Sequence, residues 1–432
     1  MDTEASRCRR TGIFGGVWQS RCHPASLTPP SRLQIWRFRY GNRVGLVSLV
    51  GTTIASRGST LAIKLAELDL VTPAARTVMP DAARPIATRD FIPTHEVLLS
   101  TARRHAMKPA IRHSGMEYSY GELRSLSLHV AELLASAGLQ PGDIVTVSGR
   151  SSFGLIASAI GVLAAGGVLV TFDDALPAER REQITLLTEA RLRIVVVAGE
   201  SSLTSTGSTV SVSGSPSHAR LEALGESEWR GPALQQDAAA YIFFTSGSTG
   251  APKGVIGAHR GLAHFLEWQR QNFGIGLGDR SAQLTALSFD IVLRDIFFPL
   301  TSGATICIPE RELILDARRM LAWFREQRVT VLHCVPSLMK AWLQADDGKN
   351  PFQSLRYIFF AGEPLTDDLL RRFRAAASAE TRITNLYGPG PSHALWPVGD
   401  GRDRDSHTVS LARLLPQPRT QPAAVSTESE DR

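Results

Sequence analysis

Between residues 86 and 395, short apolar runs alternate with stretches in which apolar residues recur every three or four positions. Ser119 and Glu122 form an S-x-x-E capping box ahead of Leu123, Leu126, Val130, Leu133, Leu134 and Ala137, the pattern of a helix with one apolar face. Gly138 stops that helix, and Pro141-Gly142 turns the chain into an apolar run, Ile144–Val147. Similar strand-like runs follow at Val168–Phe172, Ile194–Val197, Tyr241–Phe244, Ala304–Ile308, Val329–Cys334 and Tyr357–Phe360. Helical patterns such as Leu262–Phe273 and Leu313–Gln327 separate most of them. Short strands without polar alternation, interleaved with helices, predict an α/β fold of mostly parallel sheets covered by helices.

The flanks read differently. Residues 1–85 show no regular pattern beyond one possible amphipathic stretch, Leu61–Leu70, and predict an irregular basic extension. Residues 396–432 are polar and Pro/Ser-rich, and predict a disordered tail, because too little apolar surface is available to offset the entropy of ordering them. Within the central region, the Ser/Thr/Gly-rich stretch from 199 to 220 predicts a flexible linker or long surface loop.

Composition narrows the classes. Hydrophobic residues at 43% and charged residues at 20% are those of a soluble globular protein. The net charge of +6 is concentrated in residues 1–66, where Asp2 and Glu4 face nine arginines and Lys64; the rest is nearly balanced. The one basic stripe with aromatics, Trp36-Arg37-Phe38-Arg39-Tyr40, is too short to predict a nucleic-acid surface. No apolar run approaches the roughly 20 residues needed to cross a bilayer. The four cysteines include no CxxC pair, and Cys22 beside His23 lacks zinc-site spacing, so no metal-ligand set is recognised. Cys307 and Cys334 sit in apolar runs as reduced core thiols, which suits a cytoplasmic location. Early acids and Pro24, Pro29 and Pro30 set the first segment apart from a transit peptide; it reads as a poorly ordered extension or an overcalled start of translation.

The chemistry-bearing stretch is Thr245–Gly254, TSGSTGAPKG, launched from the apolar run Tyr241–Phe244. Glycines let successive backbone N–H groups face one concavity, hydroxyls add donors, and Lys253 adds positive charge: the requirements for holding a polyphosphate at the C-terminal end of a strand. A Walker A loop needs Gly-Lys-Ser/Thr, whereas this chain has Pro252-Lys253-Gly254. The full string Tyr241-x-Phe-Phe-Thr-Ser-Gly-Ser-Thr-Gly-x-Pro-Lys-Gly-Val255 instead resembles the phosphate loop of the adenylate-forming superfamily, which includes acyl-CoA synthetases, luciferases and the amino-acid adenylation domains of nonribosomal peptide synthetases.

The resemblance extends over roughly residues 95–389. It includes Tyr118-Ser-Tyr-Gly-Glu122-Leu123, Gly138-x-x-x-Gly142-Asp143, Leu163-Ala-Ala-Gly166-Gly167, Asp173 and Pro177-x-Glu179-Arg180. Ser288-Phe289-Asp290, continuing to Asp295-Ile296-Phe297, is similar to the F-D-x-S-V-x-E-I-F segment, with Leu293 and Asp295 at the Val and Glu places. Ala361-Gly362-Glu363-Pro364-Leu365 is similar to G-G-E-x-L, and Asn385-Leu386-Tyr387-Gly388-Pro389 to the start of N-x-Y-G-P-T-E.

That resemblance implies ATP-dependent activation of a carboxylic acid as an acyl adenylate, with ATP and Mg²⁺ required and a carrier-protein thiol as acceptor. It implies phosphate binding by Thr245, Ser246, Gly247, Ser248, Thr249, Gly250 and Lys253, and nucleotide contacts from Gly362, Glu363, Asn385, Tyr387 and Gly388. It places Asp290 where peptide-synthetase adenylation domains pair an aspartate with the substrate α-ammonium, which makes the substrate an α-amino acid. Ile291, Arg294, His333, Phe359, Ala361 and Leu386 would line the side-chain pocket. For Asp290 the bland alternative is a helix N-cap, and for His333 an ordinary core histidine.

After Pro389 the family pattern of Thr and Glu is replaced by Gly390-Pro391. The metal-binding Glu, a ribose-binding Asp and a C-terminal catalytic Lys of relatives are not recognised downstream, so no catalytic residue is assigned and turnover is expected to be impaired. A nucleotide-binding remnant and an acyl-CoA-synthetase-like ligase stand as the alternatives.

Overall fold

The computed structural model describes residues 36–40, 43–47, 90–174, 176–199, 203–246, 252–346, 348–387 and 394–397. The chain divides into two compact units, Met1–Val71 and Thr72–Arg432. In the first, β1 (Trp36–Tyr40) pairs antiparallel with β2 (Arg43–Val47), from Trp36 opposite Val47 to Tyr40 opposite Arg43. The expectation of an irregular extension is thus corrected over these residues: the Trp-Arg-Phe-Arg-Tyr alternation has the period of two that a strand requires. Leu61–Leu70 lies outside the described residues.

The second unit opens with α1 (Thr94–Arg104), the hairpin β3 (Pro109–His113) and β4 (Met116–Ser119), and α2 (Tyr120–Ser136). Next come β5 (Ile144–Gly149), α3 (Phe153–Ala164), β6 (Val168–Asp173), α4 (Ala178–Thr188), β7 (Leu192–Val197), β8 (Thr204–Thr206), β9 (Thr209–Ser213) and α5 (His218–Leu224). The hairpin β10 (Ala239–Ser246) and β11 (Pro252–Ala258) leads into α6 (His259–Asn272), β12 (Arg280–Ala282), α7 (Ile291–Ser302) and β13 (Thr305–Ile308). The remainder is α8 (Arg311–Ile314), α9 (Ala317–Gln327), β14 (Val331–Cys334), α10 (Pro336–Ala345), β15 (Tyr357–Ala361), α11 (Asp367–Ala376), β16 (Arg382–Tyr387) and β17 (Ala394–Pro397).

Two sheets result, of order β11-β10-β6-β5-β7-β9-β8 and β17-β16-β15-β14-β12-β13-β3-β4. Every pairing inside them is parallel except at the margins, where β11, β8, β17 and β4 add antiparallel. The α/β reading with mostly parallel, helix-covered sheets is borne out.

The helices between the sheets explain the fully apolar strands. All twelve residues of α3 are buried; it packs on α2 and touches β5, β6, β7 and β9 of one sheet and β3 of the other. Its first turn lies so close to β9 that a Cβ on Gly154 would stand 1.9 Å from the Ser213 carbonyl oxygen, so only glycine fits. The α2 capping box forms as the sequence implies: the Glu122 amide donates to Ser119 Oγ at 3.1 Å, and the Ser119 amide donates to Glu122 Oε2 at 2.7 Å.

Two expectations give way. Residues 199–220 are not a linker where described: β8 and β9 extend the first sheet, and α5 begins at His218. Thr209-Val-Ser-Val-Ser213 has strand period, with Val210 and Val212 buried, and Gly207 takes the left-handed turn at φ +58°. The helix drawn over Leu313–Gln327 is two, because Asp316 caps α9 by accepting from the amides of Arg318 and Arg319, each at 3.1 Å. The boundary drawn at 396 falls within β17, and residues 398–432 lie outside the described residues. Cys307 and Cys334 are buried and free, as read. Among the described residues no helix is long and apolar enough to cross a membrane.

Candidate functional site

The site is built at the carboxyl ends of β14, β15 and β16, facing the start of α7. In the parallel register His333, Phe359 and Thr384 stand abreast, and Ala361 stands beside Leu386 two residues further along. Strand alternation turns Phe359, Ala361 and Leu386 into the core that contains α7, while Ile358, Phe360 and Ile383 face α9, α10 and α11. His333 stacks on Phe359, with centroids 4.6 Å apart and an interplanar angle of 27°. Ile291 packs partly buried against the same core. Of the residues expected to line the pocket, His333, Phe359, Ala361 and Leu386 therefore share one face of the sheet, and that face packs against α7.

The electrostatics of this face are unusual for a core. Arg294 is 4% exposed and Asp295 fully buried, with Arg294 Nε 3.8 Å from Asp295 Oδ1. His333 Nδ1 lies 3.1 Å from the same oxygen, and the Thr285 hydroxyl donates to Asp295 Oδ2. Among the described residues, Arg294 Nε, Asp295 Oδ1 and both ring nitrogens of His333 complete no hydrogen bond. Burial, only partly offset by Arg294 and Thr285, pushes the Asp295 carboxyl up to about 6. Burial and the Arg294 charge hold His333 well below the ordinary imidazole range, so it is neutral at pH 7. Asp295 and Thr285 are the contributors that motif reasoning did not assign. For Asp295 the signal is an Arg-Asp pair inside the otherwise apolar run Ile291–Leu300.

Asp290 sits half-buried immediately before α7, one helical turn from Arg294. It occupies the N-cap position, but its side chain makes no capping hydrogen bond. Burial raises its carboxyl above the usual range, with the neighbouring amides and the Arg294 charge opposing. The same carboxylate acts on Tyr241 of β10, whose phenol burial has already raised. Thr171 of β6 donates to the Leu287 carbonyl, a second tie between the first sheet and the segment leading into α7.

The phosphate-loop residues begin at the carboxyl end of β10. Thr245 pairs with Lys253 and Ser246 with Pro252 across the β10–β11 hairpin, so the backbone returns on itself there. Gly247, Ser248, Thr249, Gly250 and Gly388 lie outside the described residues, and for Thr245, Ser246, Lys253 and Tyr387 the backbone course alone is described. Gly362 ends β15 in a left-handed turn at φ +84°, which favours glycine. Glu363 is already engaged: its carboxylate accepts from the Ser337 amide at 2.7 Å and the Ser337 hydroxyl at 2.8 Å, at the unsatisfied first turn of α10. Asn385 is half-buried beside Phe360 in the register, one residue out of step with Leu386 and so turned to the other face of the sheet.

These features define the class. A family model described as AMP-binding enzyme matches residues 98–411, and the chain belongs to that family. The relatives include a surfactin synthase subunit, a carrier-protein ligase and a nonribosomal peptide synthetase of known structure. Surfactin synthase subunit 1 of Bacillus subtilis is 29% identical over 331 residues, 75% of this chain and 9% of that protein. The L-proline–(L-prolyl-carrier protein) ligase of Pseudomonas fluorescens is 30% identical over 333 residues, 75% of this chain and 65% of that protein. Among solved structures, the AMPPNP-bound form of the nonribosomal peptide synthetase FmoA3 superposes with a TM-score of 0.67 at 26% identity, covering 79% of this chain and 37% of the other. The chain thus spans between 9% and 65% of the length of these proteins.

Proposed function

We propose that the chain activates an α-amino acid with ATP, giving the aminoacyl adenylate and pyrophosphate, for transfer to a carrier-protein thiol in the biosynthesis of a secondary metabolite. The observation that carries this reading is Asp290: a half-buried carboxylate, uncapped, at the edge of a face lined by Arg294, His333 and Phe359. Its negative charge and its position suit an ammonium group, which a simple carboxylic acid does not have. The FmoA3 relative with its bound ATP analogue supports ATP as the second substrate.

The residues present fit a nucleotide triphosphate. The sequence Thr245–Gly254 is rich in Gly, Ser and Thr, and Lys253, opposite Thr245 in the strand register, carries positive charge. Gly362 ends β15 in a left-handed turn with open space at its Cβ position apart from Val335 at 3.5 Å. Asn385 and Tyr387 would meet the adenine, and Ile291, Ala361 and Leu386 would enclose the amino-acid side chain. ATP supplies the electrophilic α-phosphate. Asp290 orients the amino acid so that its carboxylate faces that phosphate, and the phosphate loop neutralises charge on the pyrophosphate leaving group. Among the described residues no group of three or more acids, histidines or cysteines could hold a resident metal, so Mg²⁺ would enter with the nucleotide.

The test is amino-acid-dependent ATP–pyrophosphate exchange with Mg²⁺. Losing one partner of a buried ion pair costs about 3 kcal/mol, so Asp290→Ala should lower exchange by roughly 100-fold. Exchange that is indifferent to Asp290→Ala, or driven equally by a simple carboxylic acid, would identify an acyl-CoA-synthetase-like ligase instead. Nucleotide binding without any exchange would identify a non-catalytic nucleotide-binding protein.

A further inference from the structure

Buried polar groups normally find partners, because an unsatisfied donor or acceptor in the core carries its whole desolvation penalty. The group around Arg294 breaks that rule in a patterned way. Asp295 uses Oδ2 for the Thr285 hydroxyl, while its Oδ1 faces both Arg294 Nε and His333 Nδ1 without completing a bond to either. His333 is neutral, and its Nδ1 lies against a carboxylate oxygen, so its one proton belongs on Nδ1. Its Nε2 is then an acceptor with no donor. Arg294 offers a donor, Nε–H, with no acceptor. Once Asp295 Oδ1 is given to His333 Nδ1–H, this buried face keeps one orphan donor, Arg294 Nε–H, and one orphan acceptor, His333 Nε2.

Charge narrows the choice further. Arg294 and Asp295 neutralise one another, and His333 carries no charge. Asp290, one turn before Arg294 on the same face of α7, is reserved for the substrate ammonium. No charge remains for an ionised side chain: a carboxylate would confront Asp295, and an ammonium would confront Arg294. An aliphatic side chain would leave both orphan atoms unpaired.

Resting on the proposed amino-acid activation, we infer that the favoured substrate bears a neutral carboxamide, as in glutamine or asparagine. Its carbonyl oxygen accepts from Arg294 Nε, and its NH₂ donates to His333 Nε2. Arg294, Asp295 and His333 are in this reading a specificity-determining group, with Asp295 acting by fixing the charge of Arg294 and the tautomer of His333.

The experiment is calorimetric titration of the full chain with five 5′-O-(N-aminoacylsulfamoyl)adenosines carrying glycyl, glutaminyl, asparaginyl, glutamyl and leucyl groups. The glutaminyl or the asparaginyl compound should bind at least tenfold more tightly than the glutamyl and leucyl compounds. Tightest binding of the glutamyl compound would show that Arg294 is not neutralised, and tightest binding of the leucyl compound that the polar group is only structural; either overturns the inference. Equal affinity across all five would overturn it while leaving amino-acid activation intact. Failure of every compound, the glycyl one included, would remove amino-acid activation and this inference together. Asp295→Asn supplies a second measurement. With its counter-charge removed, Arg294 should shift the preference from the carboxamide to the carboxylate compound. Uniform weakening of all five in a variant that keeps its circular dichroism spectrum would reduce Asp295 to a packing role and overturn the charge argument.

Discussion

Alternate residues of β14, β15 and β16 point to opposite faces of the eight-stranded sheet, and the two faces are packed by different rules. Toward α9, α10 and α11, Leu332, Cys334, Ile358, Phe360 and Ile383 meet Phe324, Trp342 and Phe373 in an aromatic core. Phe324 meets Trp342 edge-on at 5.0 Å, and Phe360 meets Phe373 at 6.0 Å and 88°. Toward α7 the same strands deliver His333 beside Asp295, itself next to Arg294, with polar atoms buried and unpaired among the described residues. The first face gains stability from area and fit. The second gives up stability by burying polar atoms whose hydrogen-bonding capacity the described residues leave unused.

The largest break of this contrast is on the apolar face. Phe360→Ala should destabilise the fold by about 3–5 kcal/mol in denaturant unfolding, as expected for a large-to-small change in a packed core. His333→Leu, on the other face, should leave stability unchanged or slightly raised, since an unsatisfied buried polar group is exchanged for an apolar one. Equal losses for the two would show that both faces serve only packing.

A second pair of buried imidazoles tests the same idea by pH. His95 at the start of α1 and His259 at the start of α6 lie with ring centroids 6.0 Å apart, and among the described residues His95 Nδ1 and both nitrogens of His259 complete no hydrogen bond. Burial, reinforced by His259, lowers His95 from 6.5 to about 3, and burial lowers His259. The unfolded chain takes up a proton on each as pH falls through 6.5, whereas folded His95 resists until about 3. Stability should therefore be intact above pH 6.5 and fall progressively below it, by about 2 kcal/mol at pH 5 for His95. His95→Gln should flatten that part of the profile when unfolding is followed from pH 7 to 4; an unchanged slope would place its cause elsewhere.

The smallest expected effect sharpens the boundary between the two faces. Glu363 follows β15, where the family resemblance implies a nucleotide contact, yet its carboxylate holds the first turn of α10 through Ser337. Glu363→Ala should lower stability by about 1 kcal/mol, the size of a lost cap, with AMPPNP affinity unchanged. A fall in that affinity without a fall in stability would return Glu363 to the nucleotide site.

Much of the frame was legible from the chain alone. Apolar runs located β5, β6, β7, β10, β13, β14 and β15; most of these strands are buried on both faces and need no polar alternation, whereas β7 alternates buried Leu192 and Ile194 with exposed Arg193 and Val195. Ser119 with Glu122 located the start of α2 from local hydrogen-bonding chemistry. Short or polar strands were not legible: β12 holds Ser281 and Ala282 at the centre of a sheet by pairing with β13 and β14, and β8–β9 looks like a linker until it meets β7. Residue types and spacing by themselves determined the family resemblance, the candidate loop at Thr245–Gly254 and the candidate aspartate at 290. Only the tertiary structure decided that Arg294, Asp295, Thr285 and His333 meet, that Glu363 is taken by a helix end, and that Asp290 leaves its capping role unfilled. Local pattern encodes which segments form strands and helices. Whether a buried charge is paired depends on neighbours from other elements, and those are set by packing.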